Sequence, residues 1–192
     1  MPRPDVIILA GPTASGKSAL ALQLAARHQG TIINADSMQI YREIPVISAQ
    51  PDAEDQASIP HKLYGYHPIT KTYSAADWAA AALGAIHDTQ AEGHMPILVG
   101  GSGLYLRALI EGFSPMPDVP PAVRKQCTDL YDMLGPQGFH TALAKIDPVT
   151  AARLHPTDRQ RCIRAREIYE ASNEPLSAWQ EKPKASPSPH LQ

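Results

Sequence analysis

The chain has 192 residues, of which 43% are apolar and 19% charged, enough for one domain, or a domain with a small lid, around a buried core. That composition excludes a chain disordered throughout. With a formal charge of −2 and a pI near 6.4, it also lacks the global basic excess of a protein that holds nucleic acid by charge alone.

The only cysteines, Cys127 and Cys162, lie too far apart for a CxxC redox pair or a sulfur-based zinc site, and a reduced cytoplasmic protein fits best. No apolar run reaches the roughly 18 residues that span a bilayer. Met1 to Asp5 leads into a strand-like stretch and does not read as a signal peptide, so no membrane contact is expected. Charge is uneven. Residues 1–100 lean acidic, whereas Arg153, Arg159, Arg161, Arg164 and Arg166 crowd one stretch of the second half, where any polyanion contact should lie.

In chain order, Asp5 to Ala10 (DVIILA) is a continuous, β-branched apolar run, the pattern of a parallel strand covered on both faces. A glycine-rich turn follows, then a run of good helix formers that predicts a helix ending at Gly30 as its C-cap. Thr31 to Asn34 reads as a second strand, and it delivers Ala35, Asp36, Ser37, Met38 and Gln39 into the kind of loop where open α/β sheets hold ligands. Residues 43–73 contain Pro45, Pro51, Pro60 and Pro68 and are expected to be loop with short turns. Ser74 to Asp77 is a capping signal for a helix running to Gly93. Pro96 to Val99 is a third strand, joined by Gly100 to Gly103 (GGSG) to a helix that ends at Gly112. Strands alternating with helices predict a parallel sheet flanked by helices over residues 1–112.

Beyond Gly112 a proline-rich crossing leads into a region without a buried strand. Helices are expected near 121–134, 137–146, 148–154 and 159–172, the last capped by Asp158. Residues 113–181 thus form a mainly helical insert or lid, and 182–192, with three prolines and little to bury, a disordered tail. Trp78, Trp179, His155 and Cys162 read as packing or turn residues.

Gly11, Pro12, Thr13, Ala14, Ser15, Gly16, Lys17 and Ser18 satisfy GxxxxGK[ST] between a strand and a helix. Backbone N–H groups there converge on oxyanions, and the helix N-terminus adds partial positive charge. Lys17 neutralises terminal phosphates, and the Ser18 hydroxyl is suited to a Mg²⁺ shell. This motif alone does not choose between phosphoryl transfer and an alkyl transfer in which diphosphate leaves.

Four blocks make the choice: GPTASGKS (11–18), INADSMQIYR (33–42), PILVGGSGLYLRALIEG (96–112) and DPVTAARLHPTDRQRCIRAREIYE (147–170). In these blocks, their order and their spacing, the chain resembles the tRNA dimethylallyltransferases over most of residues 6–180. The resemblance implies an α/β, P-loop NTPase-like fold. It also implies transfer of a dimethylallyl group from dimethylallyl diphosphate to N6 of the adenine next to the anticodon, in the cytoplasm, by a monomer using Mg²⁺. It assigns Asp36 as general base, with Lys17 and Ser102 beside it in catalysis. It places tRNA contacts at Asp36, Ser37, Met38, Gln39, Ser102, Arg124, Gln160, Arg161, Cys162, Ile163 and Arg164.

The chemistry agrees with those assignments. An adenine N6 amine is a weak nucleophile and gains from a carboxylate that takes its proton, while charge gathering on diphosphate needs the loop amides, Lys17, Thr13 and Ser18. To reach N6, the adenine must leave its stack. On a helix, Arg161 and Arg164 share a face suited to phosphates. Departures from the family pattern are Ser102 where Thr is usual, Ile47 to Pro51 (ISAQP) where GTAKP is usual, Tyr64 to His67, and Arg166 in place of a leucine. The family also continues well past this chain's length, so an incomplete sheet is expected. Three other readings stay open: an adenylate dimethylallyltransferase, an ATP-dependent small-molecule kinase, and a truncated, inactive phosphate-binding protein.

Overall fold

A computed structural model describes residues 5–112, 114 and 116–183. They form two units, one ending at Gly112 and one following it.

The first unit is built on four strands: β1 (Ile7–Ala10), β2 (Gly30–Asn34), β3 (His61–Lys62) and β4 (Met95–Gly100). All pair in parallel, in the order β1-β4-β2-β3, with Ile7 and Ile32 both opposite Ile97 and His61 opposite Ile32. The two central strands, β2 and β4, are buried at every residue, which explains their lack of alternating polarity. Helices α1 (Lys17–His28) and α3 (Ala75–Ala91) pack on them, and α4 (Gly103–Glu111) packs on α3. Small residues on α1, Ala21 and Ala25, sit against Ile32, Ile97 and Val99, while the alternating Ile33 and Leu98 point to the opposite face. The expected α/β, P-loop-like architecture is the one observed.

Three local expectations need correction. β1, whose apolar run reads as a central strand covered on both faces, is an edge strand of this sheet, half-buried at Ile7 to Leu9 and exposed at Ala10. Gln29, at φ +52°, is the C-cap of α1, and its N–H bonds Ala25 O. Gly30 instead opens β2, where a Cβ would lie 2.7 Å from Ile97 Cδ1, so this glycine answers to sheet packing. The segment 43–73 is not loop throughout. It holds α2 (Ala53–Ser58), capped by an Asp52 carboxylate that accepts from the Glu54 and Asp55 amides, and the two-residue β3, too short to show a period of two. The capping box at Ser74 and Asp77 is present as expected.

The second unit is helical: α5 (Pro121–Ala144), α6 (Pro148–Arg153), α7 (Arg159–Ser172) and α8 (Leu176–Glu181). Gly135, at φ +67° and ψ 172°, breaks α5 just before Pro136, which accounts for the two helices read there from sequence. The sequence reading missed α8. Cys127, Tyr131, Phe139, Leu143, Ala151 and Cys162 form the core, with both cysteines as free thiols. Asp147 caps α6 through Thr150 N–H (2.9 Å) and reaches Ser177 N–H (3.1 Å) at the start of α8. Burial pushes its carboxyl up, but the bonds from Thr150 and Ser177 outweigh that and leave it below the usual range. Of the tail read at 182–192, residues 184–192 lie outside the described residues. Lys182 pairs with Glu174 (2.6 Å) and lies over the Trp179 ring. Among the described residues no helix is long and apolar enough to cross a membrane.

Candidate functional site

In a parallel sheet every strand delivers its C-terminal loop to the same edge, and in the first unit three such loops converge there. The loop after β1 runs from Gly11 to Gly16, with Ala14 at φ +61° and Gly16 at φ +82°. Left-handed residues in such a loop turn successive N–H groups inward into a concavity suited to an anion. Gly16 is the N-cap of α1 and offers no side-chain cap, so the first-turn amides stay open toward that concavity. The Lys17 ammonium folds back on its own loop, donating to Pro12 O (2.5 Å) and Ser15 Oγ (3.4 Å). The Ser18 hydroxyl is exposed and has no protein partner among the described residues.

The loop after β2 carries Asp36, which is half-buried. Its Oδ1 accepts the Met38 N–H at 2.8 Å, an Asx-turn, and its Oδ2 has no hydrogen-bond partner among the described residues. Asp36 therefore shapes the turn with one oxygen and presents the other. The loop after β4 contributes Ser102, whose Oγ accepts the Ser37 N–H at 2.8 Å while its own amide donates to Ala35 O at 3.2 Å. Ser102 thus braces the Asp36 loop and keeps its hydroxyl proton available for donation. Gly101 sits between the first two loops: a Cβ there would lie 3.1 Å from Gly11 O and 3.8 Å from Asp36 Oδ2.

A cleft of about 640 Å³ opens at this junction, lined by Thr13 to Ala19, Asp36, Met38, Gln39, Ile47 to Ala49, Val99 and Gly100. Met38 and Ile47 are exposed in its wall, whereas Gln39 is tied down, its Nε2 donating to Ser48 O (2.9 Å) and Ala49 O (2.8 Å). Of the Gln39 carboxamide only the oxygen remains for a base edge. Around the site, burial and then the Asp36 charge push the Tyr64 phenol upward. Burial, followed by Tyr41, Tyr73 and Asp36, pushes Tyr105 up to about 12. Both phenols are neutral donors near the carboxylate at neutral pH.

The residues read as polyanion contacts in the second half lie in the helical unit. Arg124 is exposed on α5. On α7, Gln160 and Arg161 are exposed and Arg164 half-exposed, whereas Cys162 and Ile163 are core, at 0% and 7% exposure. The side chains of those two therefore pack the unit and offer no surface to a ligand. Arg161 pairs with the cap residue Asp158 (2.7 Å) and Arg164 with Glu167 (3.1 Å). Sequence reasoning also gave no role to Asn34, although a polar residue ending an apolar strand was a visible signal.

The sheet, its flanking helices and the glycine loop ahead of α1 define an α/β protein of P-loop-like fold, with a carboxylate at the mouth of its cleft. The family model described as IPP transferase matches residues 39–192, and the chain belongs to that family. A tRNA dimethylallyltransferase from Granulibacter bethesdensis is 49% identical over 177 residues, covering 92% of this chain and 56% of that protein. One from Azorhizobium caulinodans is 47% identical over 178 residues, covering 93% and 57%. Among solved structures, a eukaryotic dimethylallyltransferase described as acting on tRNA superposes with a TM-score of 0.75 at 30% identity, covering 94% of this chain and 45% of that one. The tRNA isopentenylpyrophosphate transferase of Bacillus halodurans gives 0.57 at 34% identity, covering 90% and 57%. The chain spans a little over half the length of the curated relatives it matches.

Proposed function

We propose that the protein transfers the dimethylallyl group of dimethylallyl diphosphate to N6 of the adenine next to the anticodon in tRNA. The observation that carries this reading is the shared cleft: a glycine loop suited to a diphosphate and, across it, the Asp36 carboxylate with one oxygen uncommitted. Membership of the IPP transferase family and the names of the relatives support it.

In the reaction, the N6–C1 bond forms as the C1–O bond to diphosphate breaks, and the proton leaving N6 passes to Asp36. The loop amides from Gly11 to Ser18, with Lys17 swung off Pro12, take up the charge that collects on diphosphate. The donor set fits Mg²⁺. That ion keeps most of its shell as water and phosphate oxygens and needs few protein ligands, and Ser18 offers a hydroxyl at the loop. Bound there, it would supply further charge neutralisation on the leaving group. Ser102 holds the Ser37 amide and through it the Asp36 loop. Ser37, Met38 and the Gln39 oxygen face the nucleotide, and Arg124, Gln160, Arg161 and Arg164 contact the tRNA backbone. The reaction belongs to the cytoplasm, with the chain acting as a monomer.

The test is incubation of the 192-residue chain with labelled dimethylallyl diphosphate, Mg²⁺ and unmodified tRNA, with AMP and ATP as parallel acceptors. Label in tRNA is expected. Label in a nucleotide would replace this reading with an adenylate dimethylallyltransferase. Diphosphate binding without transfer would leave a phosphate-binding protein.

A further inference from the structure

We infer that Asn34 is the positioning residue for the Asp36 carboxylate, holding it so that Oδ2 is kept for the proton of the acceptor amine. The inference rests on the reading of Asp36 as proton acceptor and adds the residue that places it.

Asn34 ends β2 and is 0% exposed. Its Nδ2 donates to Asp36 O and to Leu63 O, both at 3.0 Å, and its Oδ1 accepts the Asp36 N–H at 2.8 Å. This pattern fixes the amide orientation, because a flipped carboxamide would set NH₂ against N–H and oxygen against two carbonyls. One side chain thereby grips both backbone polar groups of Asp36, on either side of its Cα, and so fixes the direction in which its side chain leaves. The third bond anchors the assembly to Leu63, in the segment after β3, at φ +64°. The Asn34 carbonyl in turn accepts Trp78 Nε1–H at 2.9 Å, and that indole is fully buried and stacked on Tyr105 at 4.7 Å. From this clamp the Asp36 side chain reaches the Met38 amide with Oδ1, leaving Oδ2 over.

Asparagine is disfavoured in strands and in cores, yet an apolar residue continuing Thr31-Ile32-Ile33 would leave the Asp36 N–H and the carbonyls of Asp36 and Leu63 without the bonds Asn34 supplies. What the carboxamide adds is three bonds, two that grip Asp36 and one that ties the grip to Leu63. Aspartate would be a poor substitute: it loses both donors and sets an acid against two carbonyl oxygens.

The Met38 amide is held only by the Asp36 carboxylate among the described residues, so its hydrogen exchange reports where that carboxylate sits. In Asn34→Ser, Met38 exchange measured by NMR on the full chain is expected to quicken about tenfold, with Ile33 and Leu98 unchanged. Unchanged Met38 protection would overturn the inference. Should Ile33 and Leu98 also lose protection, the uncharged, β-branched Asn34→Thr, better suited to a strand, decides by the same comparison. In transfer assays, Asn34→Ser should lower kcat on the order of 10-fold to 100-fold with KM for dimethylallyl diphosphate unchanged. The same change should have no further effect in an Asp36→Ala background. Equal losses in both backgrounds would mean that Asn34 does not act through Asp36. A parent chain without transfer would refute the transferase reading, and Met38 exchange would then settle the placement alone.

Discussion

Gly100→Ala probes the assembly of the site most directly, because a Cβ on Gly100 would sit 2.1 Å from both the carbonyl carbon and oxygen of Ala35 and 2.7 Å from its Cα. Ordinary contact begins at 3.4 Å, so one backbone must retreat by about 1.3 Å, and neither has a flexible side chain to give way. Ala35 is fully buried and held on both sides, its N–H on Val99 O at 2.8 Å and its carbonyl under Ser102 N–H at 3.2 Å. Overpacking of this kind costs about 1–3 kcal/mol, and two strained backbone bonds add about 1 kcal/mol each, for roughly 3–5 kcal/mol in all. Because Asp36 follows Ala35, the displacement carries the carboxylate with it, and a shift near 1 Å lowers transfer by about 10²-fold. The assay is denaturant unfolding followed by fluorescence in a Trp179→Phe background, where Trp78 alone reports on the first unit. Gly84→Ala is the control: it lies on the exposed side of α3 with nothing within 4 Å of its Cβ, and should gain about 0.5–1 kcal/mol. A Gly100→Ala variant within 1 kcal/mol of its parent would refute the reasoning.

Asp36→Asn should slow transfer by about 10²–10⁴-fold while diphosphate binding, measured by calorimetry, changes less than about twofold. Equal loss of both would make Asp36 an organiser of the loop only. Arg161→Ala and Arg164→Ala should each reduce the slope of log affinity for tRNA against log salt by about 0.7, the increment for one phosphate contact on a single strand. Burial, followed by the charges of Glu170 and Glu167, pushes the Cys127 thiol from 9.0 up to about 11. The unfolded thiol therefore ionises first, so stability is full below pH 9 and falls as pH rises from 9 through 11. Cys127→Ala should flatten that alkaline decline in urea unfolding at pH 8, 10 and 11.

What the sequence disclosed was governed by how local each cause is. The glycine loop, the Ser74 capping box and the apolar runs of β1, β2 and β4 are written in consecutive residues, and each can be read where it stands, although the run of β1 did not disclose that this strand lies at the sheet edge. Gly30 was misread because its reason lies 67 positions away, at Ile97, and the two residues of β3 become a strand only by pairing with Ile32 and Ile33. The same holds within the site. Asp36 could be picked out from its place after a strand, but the bond from Ser37 to Ser102, the close approach of Gly100 to Ala35 and the grip of Asn34 on Asp36 through Leu63 are long-range or geometric facts. Burial divided the 160–164 segment in a way its arginine spacing could not, placing Cys162 and Ile163 in the core.

The basic helix α7 carries a further constraint on how it could meet a polyanion. Each of its guanidinium groups already has a carboxylate: Arg159 with Asp132, Arg161 with Asp158, Arg164 with Glu167 and Arg166 with Glu170. Binding a phosphate is thus an exchange of anions, and its cost depends on how wet the first pair is. The Arg161 side chain is 76% exposed, and an exposed pair contributes about 0–1 kcal/mol, so Arg161 can leave Asp158 at little cost. Glu167 is only 10% exposed, and stripping a nearly buried carboxylate of its partner is far more expensive. Arg164 should therefore stay where it is and meet a phosphate with donors that Glu167 does not use, since a guanidinium has five N–H groups and the pair engages Nη1. On that argument the two arginines play different parts under the proposed function, Arg161 mobile and Arg164 preset by its own acid.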